Sequence, residues 1–181
     1  VDAFVEPTAE IVEAARAETS KPLYAKLSPA VPDVAAVAVA ARAAGADGLS
    51  LVNTIRGLAL DERTLQPILA RGAGGLSGPA LRPIALAAVY AAYAASRMPI
   101  VGMGGVETGR HALELLAAGA NRVALGTVLF ADPGAVARIR AELVQETSQH
   151  GFASPGNATG AAHAAGMDAP EVAEATHPVS A

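Results

Sequence analysis

The sequence predicts an α/β fold of parallel strands joined by right-handed helical crossovers. Three observations carry that expectation. Four short apolar runs are almost continuously hydrophobic, as parallel strands covered on both faces are. Stretches with apolar residues at helical spacing separate them. Residues that start and stop helices mark the joints. The runs are LYAKL at 23–27, GLSLV at 48–52, PIVGM at 99–103 and RVALG at 122–126. The helical stretches are 8–19, 32–44, 83–96, 109–118 and 133–147. Pro32, Pro83 and Pro133 suit first helical turns, and Thr108 and Asp132 suit N-caps. Gly45 and Gly119 suit the position just past a helix end.

The elements come in two sets. AAGADGLSLVNT at 43–54 is echoed by AAGANRVALGT at 117–127, and KPLYAKL at 21–27 by MPIVGMG at 98–104. The bland reading is a helix end and a strand reused because they pack well. The stronger reading is two tandem βαβα units, the way (β/α) barrels are often composed. The link over 53–80 exceeds an ordinary connection, and links of that length are usually functional. After His150 the chain is rich in Ala, Gly, Ser and Pro and has no Lys or Arg. It is expected as a flexible tail over 150–181, with a short helix near 168–175, beside a domain over 1–149.

Composition removes several function classes. With 181 residues, 52% of them hydrophobic, the chain can bury one real core. Aromatics are only 3%, so small and branched aliphatic side chains must build it. A net charge of −4 with no basic cluster argues against nucleic acid as a partner. The absence of cysteine excludes disulfides, cysteine-ligated iron–sulfur clusters and a cysteine nucleophile within this chain. No apolar run approaches the roughly 18 residues of a membrane span, and the first residues lack a signal peptide's pattern. A cytoplasmic protein with no membrane partner is therefore expected. The chain does not begin with Met, so it is expected to be processed or incomplete. The four histidines show no metal-ligand spacing, and no metal site is expected. Neither a Ser-His-Asp arrangement nor a catalytic carboxylate pair is evident.

The chemistry-bearing residues follow strand ends. In PIVGMGGVETG at 99–109, Gly104 and Gly105 stand between a strand and a helix. No Gly-Lys-Ser/Thr follows, so this is not a P-loop. Glu107 occupies the third glycine position of a dinucleotide fingerprint, so it is not that either. The alternatives are a tight turn or a phosphate cradle. Gly126 and Thr127 end the next strand and favour the cradle, because consecutive glycine-bearing strand ends form the phosphate site of (β/α)8 barrels. Lys26 interrupts an apolar strand near its C-terminal end. An edge-strand lysine reaching solvent is one reading, and a cation facing negative charge on a cofactor or substrate is the other. Asn53 and Thr54 also follow a strand. Asn53 is either a turn former or an amide that reads a planar heterocycle.

Taken together, KPLYAKLSP, AGADGLSLVNT, GGLSGPALRPIAL and PIVGMGGVETGRHALELLAAGANRVALGT resemble dihydroorotate dehydrogenase, most closely the NAD-linked class 1B. The likeness runs from about residue 8 to 147 and keeps the order and spacing of each motif. It implies a (β/α)8 TIM barrel binding FMN at the C-terminal ends of its strands. Lys26 would contact the flavin ring and stabilise its anionic reduced form. Val52 and Gly78 would contact FMN, and Gly104, Gly105, Gly126 and Thr127 would bind its phosphate. Asn53 and Thr54 would bind dihydroorotate. The family oxidises dihydroorotate to orotate in pyrimidine (UMP) biosynthesis: a base takes a proton from carbon 5 while hydride passes from carbon 6 to flavin N5. A second subunit carrying FAD and a [2Fe–2S] cluster would relay electrons to NAD, and the full-length protein would be a homo-oligomer.

The resemblance covers only strands five to eight of the barrel, its C-terminal half. The catalytic base, a cysteine in class 1, would lie in the other half, so this chain is expected to be inactive alone. The strands at 23–27 and 122–126 would be unpaired edges, and the isolated chain is expected to self-associate or be poorly soluble. Other readings are an FMN-dependent enzyme of class 1A or of the dihydropyrimidine type, a phosphate-binding (β/α) lyase or isomerase, and a non-catalytic product.

Overall fold

A computed structural model describes residues 2–164. In chain order the elements are α1 (Asp2–Ala17), β1 (Tyr24–Leu27), α2 (Val34–Ala43), β2 (Gly48–Leu51), β3 (Ile55–Gly57) and β4 (Gly74–Leu76). Then come α3 (Arg82–Ser96), β5 (Ile100–Met103), α4 (Gly109–Ala117), β6 (Arg122–Ala124), α5 (Val128–Ala131) and α6 (Ala135–Gln149). The strands β1-β2-β5-β6 form one parallel sheet in that order, leaving β1 and β6 as its edges. The four expected strands are all present.

Register explains the burial. Leu27, Leu49, Leu51 and Ile100 share one face of the sheet and are buried. They meet the small faces of α2 and α3, where Ala38, Ala41, Ala85 and Ala92 are fully buried. Alanine lets these helices lie close to the strands, which is how a core forms with so few aromatics. The alternate residues, Tyr24, Lys26, Ser50, Val101, Met103 and Arg122, occupy the other face and are half-buried or exposed. Helices thus cover one face only, where continuous hydrophobicity implied two. A barrel fills its inner face with side chains from opposite strands, and four strands do not close one.

The sequence repeat is a repeat of hydrogen bonds. At the end of α2, Gly45 N–H donates to Arg42 O and Ala46 N–H to Ala41 O, at 3.1 and 3.0 Å. At the end of α4, Gly119 N–H donates to Leu116 O and Ala120 N–H to Leu115 O, both at 2.9 Å. Both are the paired bonds of a glycine-terminated helix. The next residue then clamps the preceding strand. Asp47 N–H donates to Leu23 O (2.8 Å), and its Oδ2 accepts from Leu23 N–H (2.7 Å). Asn121 N–H donates to Ile100 O (2.8 Å), and its Oδ1 accepts from Ile100 N–H (2.9 Å). Leu23 and Ile100 each follow the proline of the KPL and MPI lead-ins. This duplicated clamp favours two tandem units over chance reuse.

Some local expectations need correction. Asp33, not Pro32, starts α2: its Oδ1 accepts from Ala36 N–H at 3.0 Å. Asp132 caps no helix start. It ends α5, accepts from Gly134 N–H at 2.9 Å and pairs with Arg138, so α6 begins beyond Pro133. Thr108 does cap α4, accepting from His111 N–H. The long link folds as an antiparallel arm of β3 and β4, extended by bridges Leu60–Pro67 and Leu69–Gly72.

The segment after α6 is docked through residue 164 rather than loose from 150. Ala158 is fully buried beside Leu113 and Leu116. Gly160 N–H donates to Leu116 O at 2.9 Å, Thr159 Oγ1 donates to Ala120 O at 3.1 Å, and His163 stacks on Tyr90 at 3.9 Å. Its small residues permit close approach to α4. The expected helix near 168–175 and His177 lie outside the described residues. Among the described residues, no helix is long and apolar enough to cross a membrane.

Candidate functional site

Every strand of the sheet delivers residues to one cavity at its C-terminal end. Its volume is about 320 Å³, in the range of small-molecule sites. Lys26 comes from β1, Val52, Asn53 and Thr54 follow β2, and Gly78 follows β4. Gly104 and Gly105 follow β5, and Gly126 and Thr127 follow β6. All nine residues singled out in the sequence line this space.

Backbone bonds fix the loops. Val52 N–H donates to Met103 O and Asn53 N–H to Leu27 O, both at 3.0 Å, so the β2 exit is tied to both neighbouring strands. Asn53 Oδ1 accepts from Thr54 N–H at 2.9 Å. Its carbonyl therefore forms the turn, and among the described residues its amide nitrogen has no partner. The turn-forming reading of Asn53 applies to the carbonyl end of its amide. Thr54 packs on the arm: a Cβ on Gly75 would meet its Oγ1 at 2.3 Å.

The glycine loops meet one another. Gly105 has φ +68°, and a Cβ there would lie 2.8 Å from Gly78 O and 2.9 Å from Arg82 N. Only glycine allows that conformation and approach together. Gly78 also has positive φ, +91°, yet a Cβ there would meet nothing within 4 Å. Thr127 Oγ1 donates to Ser77 Oγ at 2.9 Å, joining the β6 exit to the Gly78 loop. Sequence reasoning did not single out Ser77. Its signal lay inside GLSGPA, where spacing alone does not separate it from its neighbours.

The cavity suits an anion on one side. Among the described residues, no protein acceptor takes the N–H of Gly104, Gly105, Gly126 or Thr127. Unpaired backbone donors at clustered strand ends are the usual means of holding phosphate oxygens. Lys26 is exposed, sits on the edge strand and has no ion-pair partner among the described residues. The edge-strand reading is right about its position, and the same position borders the cavity. The frame beneath is pinned by ion pairs. Arg82 bonds Glu114 at 2.5 Å. Glu142 accepts from Gly109 N–H at 2.7 Å and pairs with Arg138. The Arg138 bond, then the Gly109 N–H, hold the Glu142 carboxyl below its ordinary pKa.

The family model described as dihydroorotate dehydrogenase matches residues 3–147. The chain belongs to the dihydroorotate dehydrogenase family. The catalytic subunit of dihydroorotate dehydrogenase B (NAD(+)) from Desulforudis audaxviator is 45% identical over 159 residues, covering 88% of this chain and 52% of that protein. The corresponding subunit from Geobacter sp. strain M21 is 45% identical, covering 84% and 50%. That from Listeria innocua is 44% identical, covering 80% and 47%. Ligand-free dihydroorotate dehydrogenase from Eimeria tenella superposes with a TM-score of 0.75 at 26% identity, covering 88% of this chain and 50% of that one. The same enzyme in complex with ferulenol gives 0.74, covering 88% and 49%. The sheet and its helices are thus part of the dihydroorotate dehydrogenase TIM barrel. The chain spans about half the length of the curated relatives it matches.

Proposed function

We propose that this chain supplies the phosphate-binding wall and one side of the substrate site of an FMN-dependent enzyme oxidising dihydroorotate to orotate in pyrimidine synthesis. The observation that carries this reading is the convergence of all four strand exits on one cavity bordered by unpaired backbone N–H groups. The names of its relatives support the substrate and the NAD-linked type.

Bound FMN would supply the hydride acceptor. The N–H groups of Gly104, Gly105, Gly126 and Thr127 would hold its phosphate, and Val52 and Gly78 would border its body. The Lys26 ammonium would favour negative charge on the ring, since an opposite charge nearby stabilises the charged form. Asn53, its carbonyl fixed by Thr54 N–H, would offer amide donors to a substrate carbonyl or carboxylate, with Thr54 beside it. The proton-abstracting base would come from outside this chain, so the chain alone would not turn over. In the whole enzyme, a subunit with FAD and a [2Fe–2S] cluster would pass electrons to NAD, and the assembly would be a cytoplasmic homo-oligomer.

Flavin-fluorescence titration of the 181-residue chain tests the phosphate assignment. FMN should bind at least about tenfold tighter than riboflavin, a difference of about 1.4 kcal/mol, and inorganic phosphate should displace it. Equal affinity for the two flavins, or binding of neither, would reject the assignment.

A further inference from the structure

The two hydroxyls at the cavity share their protons in a way that singles out Ser77. Thr127 stands at the N-cap of α5, where a threonine oxygen ordinarily accepts from its own helix. Here it makes no cap bond. Its Oγ1 reaches a residue 50 positions away and donates to Ser77 Oγ at 2.9 Å. A hydroxyl carries one proton. The Thr127 proton lies inside the pair, so the Ser77 proton is left over. Ser77 lines the cavity, and among the described residues its Oγ donates to no protein acceptor. The next residue repeats the pattern. Gly78 is buried. Its carbonyl accepts from Leu81 N–H at 3.0 Å, but among the described residues its own N–H meets no protein acceptor. Buried backbone donors are rarely left unpaired. These two adjacent donors stand between the two glycine turns. A Cβ on Gly105 would lie 2.8 Å from Gly78 O, and the Ser77–Thr127 bond joins them to the β6 exit.

We propose that Ser77 is a further phosphate-binding residue of this cavity, its O–H donating to a phosphate monoester beside the Gly78 N–H. Thr127 serves it from behind. The Thr127 hydroxyl holds Ser77 Oγ as an acceptor, which turns the Ser77 proton outward, and Thr127 gives the ligand its N–H alone. The proposal rests on the flavin reading above and deepens it by assigning the hydroxyl that meets the phosphate. The chemistry favours an anion. A phosphate dianion offers only acceptors, and a hydrogen bond to a charged acceptor is stronger than one to a neutral oxygen. The terminal alcohol of a flavin without phosphate gains less from the same donor. A hydroxyl pair that merely joined the two loops would serve both flavins alike.

Titration of the 181-residue chain and its variants with FMN and with riboflavin, read by flavin fluorescence, tests it. Ser77 is exposed, so Ser77→Ala should keep the wild-type circular dichroism and urea midpoint. Its preference for FMN over riboflavin should fall about fivefold, the worth of one ordinary hydrogen bond, with riboflavin affinity unchanged. Ser77→Thr keeps the hydroxyl and should keep most of the preference. Thr127→Val keeps its N–H and should lose less than Ser77→Ala. Equal weakening of both flavins by Ser77→Ala would make the pair a staple between loops and overturn the proposal. A full FMN preference in Ser77→Ala would overturn it while leaving the phosphate reading intact. Loss of the preference in Thr127→Val but not in Ser77→Ala would reverse the two roles. A wild type that does not distinguish the flavins would reject the phosphate reading and this assignment with it.

Discussion

Two glycines at the cavity are there for different reasons, and substitution separates them. At Gly105 an added methyl group meets Gly78 O at 2.8 Å, and φ is +68°. Gly105→Ala should therefore lower folding stability by about 1–3 kcal/mol, the range for a residue forced into a sparsely populated conformation. At Gly126 the backbone is ordinary and a Cβ would meet nothing within 4 Å. Gly126→Ala should stay within about 0.5 kcal/mol of wild type, as surface substitutions usually do. Its methyl group would stand in the space beside the cavity, so FMN should bind more weakly although the fold is intact. Urea denaturation and flavin titration of both variants read the two effects. Equal destabilisation by both would remove the distinction between a packing glycine and a ligand-facing one.

At the scale of elements, the clamp between each helix end and the preceding strand organises the fold, and its two copies differ by a charge. Asn121 makes the clamp with an amide. Asp47 makes it with a carboxylate that also bonds Arg16 at 2.5 Å. The Leu23 N–H, then Arg16, hold the Asp47 carboxyl below its ordinary pKa. A depressed folded value means that the stabilisation is complete above the ordinary aspartate pKa and is lost as pH falls through the folded one. Asp47→Asn, copying the second clamp, keeps an acceptor for Leu23 but loses the charge. Wild type should thus have the higher melting temperature at neutral pH. The difference should vanish well below the usual aspartate pKa of about 3.9 and shrink in high salt. A difference that persists in acid would mean that geometry, not charge, separates the two clamps. The clamp also shows why the repeat was legible in sequence: its glycine, its Asx residue and the proline lead-in each have a fixed local task. Strand positions were legible because Leu49, Leu51 and Ile100 are buried. The arm was not, because its three-residue strands are glycine-rich and carry no alternation. The docked segment after α6 was misread because small residues signal either mobility or closeness. A Cβ on Gly160 would lie 2.9 Å from the Tyr93 ring, so there it is closeness. The site's glycines stood out by their place at strand ends, whereas Ser77 shows itself only through its contact with Thr127.

At the scale of the whole molecule, the two faces of the sheet contribute unequally to stability. Leu49, Leu51 and Ile100 are buried beneath the helices, whereas Tyr24, Lys26 and Arg122 on the other face are exposed. Leu49→Ala should therefore lower folding stability by about 2–5 kcal/mol, the range for truncating a buried leucine. Arg122, which has no ion-pair partner among the described residues, should be replaceable by alanine within about 0.5 kcal/mol of wild type. Urea denaturation of the two variants reads the difference. Equal costs would mean that the exposed face holds the fold together as much as the covered one does.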